Sequence, residues 1–110
     1  MESPSLSQEV NQMHAAICSG LADPTRILLL YALAEGPHNV SELAEIVGIT
    51  QPTASRHLKL LRERGMVLAN RQGPSIEYSL SDMRLIEALD LLRAVLRDRI
   101  NYRASLIEGV

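Results

Sequence analysis

Residues 41–65 read Ser41-Glu-Leu-Ala-Glu-Ile-Val-Gly-Ile-Thr-Gln-Pro-Thr-Ala-Ser-Arg-His-Leu-Lys-Leu-Leu-Arg-Glu-Arg-Gly65, and this stretch decides the fold. Leu43, Ala44 and Val47 recur at helical spacing from Ser41 to Val47, and Gly48 stops that helix. Ile49 is expected to staple the turn. Thr50 is a good N-cap, Pro52 sits in a first turn where its missing N–H costs nothing, and Gly65 ends the second helix. Its inner stripe is Ala54, Leu58 and Leu61. Gln51, Thr53, Ser55, Arg56 and Lys59 then point outward. Helix, short turn with glycine, helix is the helix-turn-helix order.

Working outward, the downstream residues Met66 to Gln72 and Ser75 to Leu80 flank Gly73-Pro74, which predicts a β-hairpin. Ser81-Asp82 would cap a last helix from Asp82 to about Ile107. Such a helix is about 39 Å long at 1.5 Å per residue. Leu85, Leu89, Leu92 and Leu96 form one seam on it, and Ile86, Val95 and Ile100 broaden that seam beyond the needs of one small core. Upstream, Val10, Met13, Ile17 and Leu21 share a face of a helix from Leu6 to Leu21. Asp23-Pro24 restarts the chain into a mostly buried helix from Thr25 to Glu35, stopped by Gly36-Pro37. His38 to Val40 reads as a short extended link.

The expected fold is therefore mainly α with a small β-hairpin wing: a single winged helix-turn-helix over residues 1–110, in the order α-α-α-α-β-β-α. Residues 41–64 form the helix-turn-helix and residues 66–80 the wing. The 110-residue chain has 46% hydrophobic residues, no Trp or Phe and three Tyr, so its core must be aliphatic, which favours packed helices. The opening residues, Met1 to Gln8, lack the basic start and apolar run of a secretory signal, and no stretch approaches the length of a membrane span. Cys18 is the only cysteine, so no intrachain disulfide is expected, which fits a cytoplasmic setting.

Net charge is −2, but its distribution is uneven: residues 1–55 hold one basic side chain, Arg26, against six acids, whereas residues 56–71 hold five basic ones against Glu63 alone. A local surplus of that kind suits a phosphate backbone. Gln51 and Arg56 can bond base edges bidentately, and Thr50, Pro52, Thr53, Ser55 and Lys59 complete the presented surface. His57 lies between faces and could bond a phosphate or a nearby backbone group. Arg71 and Gln72, at the hairpin tip, either reach a minor groove or are simply solvated. No catalytic triad, carboxylate pair or phosphate loop is present, so an enzyme is not expected. A winged-helix module that binds protein instead of DNA is the competing reading.

Ala22 to Ile27, Val40 to Ala44 and Gln51 to Val67 together resemble the ArsR/SmtB family of bacterial repressors. The resemblance runs from about Ala15 to Leu96. It implies a homodimer through the first and last helices, binding to double-stranded operator DNA, and release when an inducer is sensed. It also implies that Gln51, Pro52, Thr53, Ser55 and Arg56 touch bases and that Arg71 lies in the wing. Ile17, Leu85, Leu89, Leu92 and Leu96 are the interface residues expected on that basis.

The sensing sites that the resemblance implies are missing. Ser41 to Val47 has no cysteine, the last helix carries Asp82, Glu87, Asp90, Asp98 and Glu108 but no histidine, and a second thiol is lacking. His14 and Cys18, four apart, share a helical face and could hold zinc, nickel or cobalt if a partner added Asp90 or Asp98. Against this, Cys18 reads first as a small buried apolar residue and His14 as an ordinary surface or interface residue, and a redox-active thiol is a further reading of Cys18.

Overall fold

The computed structural model describes residues 3–108, the side chain of Glu108 excepted. Met1 and Glu2, the start of the polar N-terminal stretch, lie outside the described residues. The first helix, α1, runs Leu6–Leu21. Ser5 and Gln8 form a reciprocal capping box at its start, with Gln8 N–H donating to Ser5 Oγ at 3.2 Å and Ser5 N–H donating to Gln8 Oε1 at 2.9 Å. Its middle departs from α geometry: His14–Cys18 forms a π-helical turn before Ser19–Leu21 resumes the α pattern. The expected span is right, but the wider turn was not anticipated, because apolar spacing does not distinguish a π-turn from an α-turn.

Helix α2, Pro24–Ala34, begins as its sequence requires. The Asp23 carboxylate accepts the N–H groups of Thr25 at 2.8 Å and Arg26 at 3.3 Å, and Pro24 occupies the first turn. Leu29, Leu30 and Leu33 are buried, whereas Leu28 faces outward. The chain then enters a two-residue strand, β1 (His38–Asn39), where only an extended link was expected. Helix α3 is Val40–Val47. Asn39 caps it in a second reciprocal box with Glu42, and Gly48 closes it at φ +79°, a conformation that suits glycine.

Helix α4 is Gln51–Glu63, strand β2 is Val67–Gln72, β3 is Ser75–Leu80, and α5 is Arg84–Glu108. The wing is a three-stranded antiparallel sheet in the order β1-β3-β2, not a bare hairpin. His38 pairs with Tyr78 and Asn39 with Glu77, so β1 covers the base of β3 and ties the entrance of α3 to the wing.

The core lies where α2, α3, α4 and the start of α5 converge, with Leu29, Leu30, Leu43, Leu58, Leu61 and Met66 each at most 1% exposed. Burying one such leucine is worth about 1.5–3 kcal/mol. Helix α5 starts at Arg84, two residues later than expected, because Asp82 serves as a cap outside it: Oδ1 accepts the Arg84 N–H at 2.9 Å. Ile86 and Leu89 enter the core and Leu85 packs against it. Leu89, expected at an interface, is thus only 4% exposed within the lone chain and belongs to its own core. Ile17 is also partly committed to that core.

Candidate nucleic-acid interface

Helix α4 is built in two halves of opposite character. Ala54, Leu58 and Leu61, at 0% exposure, fix it to the core along one stripe. Gln51, Pro52, Ser55, Arg56 and Lys59 lie exposed on the other side, with Thr53 half-buried. The spacing of three and four residues between buried positions dictates this split.

The N-terminal turn of α4 is internally ordered. Thr50 Oγ1 accepts the Thr53 N–H at 3.3 Å and donates to Thr53 Oγ1 at 2.9 Å. Arg56 Nη2 in turn donates to Thr53 Oγ1 at 3.3 Å. This chain of bonds holds the guanidinium one turn from the helix start while leaving its other donors available. Gln51 Nε2 donates to Ser41 Oγ at 3.0 Å, linking the starts of α4 and α3. The free N–H groups at the start of α4 add partial positive charge on the same side.

Two basic positions behave differently from the rest. His57 is half-buried, with Nδ1 3.4 Å from Arg26 Nη1. Its Nδ1 therefore faces a side chain of α2. Arg64 turns back and donates to the Ala15 carbonyl and the Ser19 hydroxyl of α1. Of the five basic residues in 56–71, Arg56, Lys59, Arg62 and Arg71 stay exposed. The engagement of Arg26, Arg64 and His57 escaped sequence reasoning. The only hint was a lone basic residue, Arg26, in a helix otherwise apolar.

At the wing tip, Arg71 and Gln72 are exposed and flank a turn in which Gly73 has φ +61°. Ser75 Oγ donates to the Gln72 carbonyl at 3.2 Å, which orders the tip.

A second open surface lies on α5. Beyond Leu89, Leu91, Leu92, Val95, Leu96 and Ile100 are all more than half exposed. Leu6, Val10 and Met13 of α1 are exposed as well. The radius of gyration is 17.3 Å, against about 13 Å for a compact chain of roughly this length. Among the described residues no single helix is long and apolar enough to cross a membrane.

The donors for a metal do not come together. Among the described residues no group of three or more His, Cys, Asp or Glu converges. His14 is exposed and Cys18 half-buried. Asp90, which could have completed the pair from a partner, accepts the Tyr31 hydroxyl at 2.6 Å and lies 3.5 Å from Arg93 Nη1. First-row metals take three or four protein ligands, so a centre at His14 and Cys18 would need further donors, such as Asp98 or Asp90 of a second copy.

Residues 23–68 match the family described as bacterial regulatory protein, arsR family. The HTH-type transcriptional regulator NmtR of Mycobacterium tuberculosis is 41% identical over 69% of this chain and 63% of its own length. A protein of Streptomyces lividans named "Probable mercury resistance operon repressor" is 40% identical over 71% of this chain and 62% of its own. The matched stretch thus spans a little under two thirds of both relatives. Among solved structures, the homodimeric winged helix-turn-helix DNA-binding domain Mb0332 of Mycobacterium bovis superposes with a TM-score of 0.75 at 26% identity, covering 93% of this chain and 95% of that one.

Proposed function

This chain belongs to the arsR family of bacterial regulatory proteins, and from that premise we propose that it is a repressor that binds operator DNA as a homodimer and lets go when an inducer is sensed. The observation that carries the reading is the two-sided construction of α4: a stripe of fully buried aliphatic residues holds an exposed Gln51-Thr53-Ser55-Arg56-Lys59 surface away from the body. Such a helix fits the major groove, where glutamine and arginine recognise base edges and lysine the phosphates. Thr50 and Pro52 shape the entry of α4. Arg71 and Gln72 approach the flanking backbone or minor groove. His57 stands at the edge of this surface, with Nδ1 turned to Arg26.

The dimer follows from the exposed apolar surface of α5 and α1. A second copy packed there would cover Leu92 and Leu96. It would also set two reading helices about 34 Å apart, one turn of DNA, on a two-fold site. The structurally similar Mb0332 domain is a homodimer, which supports this arrangement. A protein-binding winged helix is disfavoured by the basic, preordered α4 surface. One relative is named for mercury resistance, yet the donor set here leaves no basis for routing release through a metal bound within one chain.

The test is to select duplexes from a randomised double-stranded library with the native protein, then measure affinity against salt. The expected result is recovery of a two-fold sequence, bound with a steep salt dependence. Failure to enrich any duplex, or weak binding indifferent to sequence, overturns the reading.

A further inference from the structure

Helix α1 touches α4 through charged hydrogen bonds as well as through apolar packing. Arg64, at the C-terminal cap of α4, donates to the Ala15 carbonyl and the Ser19 hydroxyl. Ser19 Oγ itself donates to the Ala15 carbonyl at 2.5 Å. Arg26 of α2 donates from Nε to the Gly20 carbonyl at 2.8 Å and from Nη2 to the Ser19 carbonyl at 3.2 Å. Its remaining nitrogen, Nη1, lies 3.4 Å from His57 Nδ1 in the middle of α4. Arg26 therefore grips the last turn of α1 and Arg64 its π-helical turn and Ser19, and between them they reach the middle and the end of α4.

The chemistry explains why arginine stands at both places. The carbonyls at the end of a helix carry its partial negative charge, and Arg26 meets those of Ser19 and Gly20, whereas Arg64 meets the Ala15 carbonyl in the π-helical turn. A guanidinium offers several donors in a fixed plane, so one side chain can satisfy carbonyls on one element and meet a third group on another. The approach is also close: a Cβ on Gly20 would lie 2.7 Å from Met66 Sδ, so the end of α1 sits directly against the chain leaving α4. At its other end, α1 exposes Leu6, Val10 and Met13. The π-helical turn His14–Cys18 lies between the two ends.

We propose that Arg64 and Arg26 are positioning residues for DNA reading, which fix the pitch of α4 by referring it to the end of α1. This rests on the reading of α4 as the DNA-contacting helix. Arg64 acts through geometry and does not neutralise a phosphate. Any shift of α1 is passed to α4 at two points, near His57 and at Arg64.

The experiment compares native protein with Arg64→Ala, Arg64→Lys and Ser19→Ala on the duplex that the native protein selects from a randomised library. Affinity is measured across a salt series, and folding and oligomeric state are checked by circular dichroism and sedimentation. Arg64→Ala is expected to lower affinity about tenfold with the slope of log affinity against log salt unchanged. Ser19→Ala, which alters no charge, should move affinity in the same direction by a smaller factor. Arg64→Lys should recover part of the loss. A phosphate contact would instead make the slope shallower by about one, and that result, or unchanged affinity in folded Arg64→Ala, overturns the proposal. If Arg64→Ala does not fold, Arg64→Lys and Ser19→Ala decide by the same criteria: unchanged affinity in both overturns it. If the native protein selects no duplex, the DNA reading falls and this inference with it. A loss confined to the variants' expected pattern separates the two.

Discussion

Helices α4 and α5 both leave a face open, and the two faces differ in kind. On α4 the open side is polar and cationic, and its side chains already bond one another at the first turn. On α5 the open side is a row of leucine, valine and isoleucine with nothing over it in the lone chain. Water solvates the first surface at little cost. The second loses about 25 cal/mol for every Å² of apolar area left exposed. The difference teaches that the two faces suit different partners, α4 a polar one and α5 an apolar one, which is the basis of the proposed dimer.

The largest expected effect comes from breaking the α5 side alone. In Leu92→Glu combined with Leu96→Glu, the charges fall on residues exposed in the monomer, so each chain should remain folded. Sedimentation should find monomers. Affinity for the selected duplex should fall roughly 10²–10⁴-fold, the usual gain from linking two binding events. A monomeric double variant that still binds tightly would erase the contrast between the faces.

A smaller effect is expected from the α4 side. Arg56→Ala should cost about tenfold to a hundredfold in affinity and relax base preference at one position of each half-site. Melting temperature and dimerisation should stay as in the native protein. If Arg56→Ala instead lowered the melting temperature while leaving binding intact, the exposed α4 surface would be structural.

Periodicity and punctuation made most of this legible. Asp23-Pro24, Thr50, Gly48 and Gly73-Pro74 each specify a local geometry, and each does what its chemistry dictates. The inner stripe Ala54-Leu58-Leu61 was legible because one helical face must be apolar. What was not legible depended on distant partners. Strand β1 has two residues and exists only because Tyr78 and Glu77 pair with it. Arg26 and His57 are 31 residues apart, and Arg64 and Ala15 are 49 apart. On α5, Leu89 and Leu92 look alike in a hydrophobic seam; only the position of the neighbouring helices sends one inward and leaves the other exposed.

The smallest effect lies where α5 begins. The Arg84 side chain, hydrogen-bonded to Asp82, holds the Asp82 carboxyl down at about 2, with help from the Arg84 backbone N–H. A carboxyl with a depressed folded pKa stabilises the fold at pH above its ordinary value, and that contribution is lost as pH falls through about 2. NMR titration of the Asp82 carboxyl carbon should show that midpoint in the native protein and a return toward 3.8 in Arg84→Ala. An identical midpoint in both would remove Arg84 as the cause.

The short strand His38–Asn39 has a mechanical consequence. It pairs with β3 and runs directly into the cap of α3, which packs on α4. The wing is thereby tied through β1 to the helix that packs on α4. Such a tie limits how far α4 and the wing can move apart. On the proposed reading, a duplex held by both would have to supply the compliance itself, so base steps that kink or twist readily should be favoured even where no side chain reaches them.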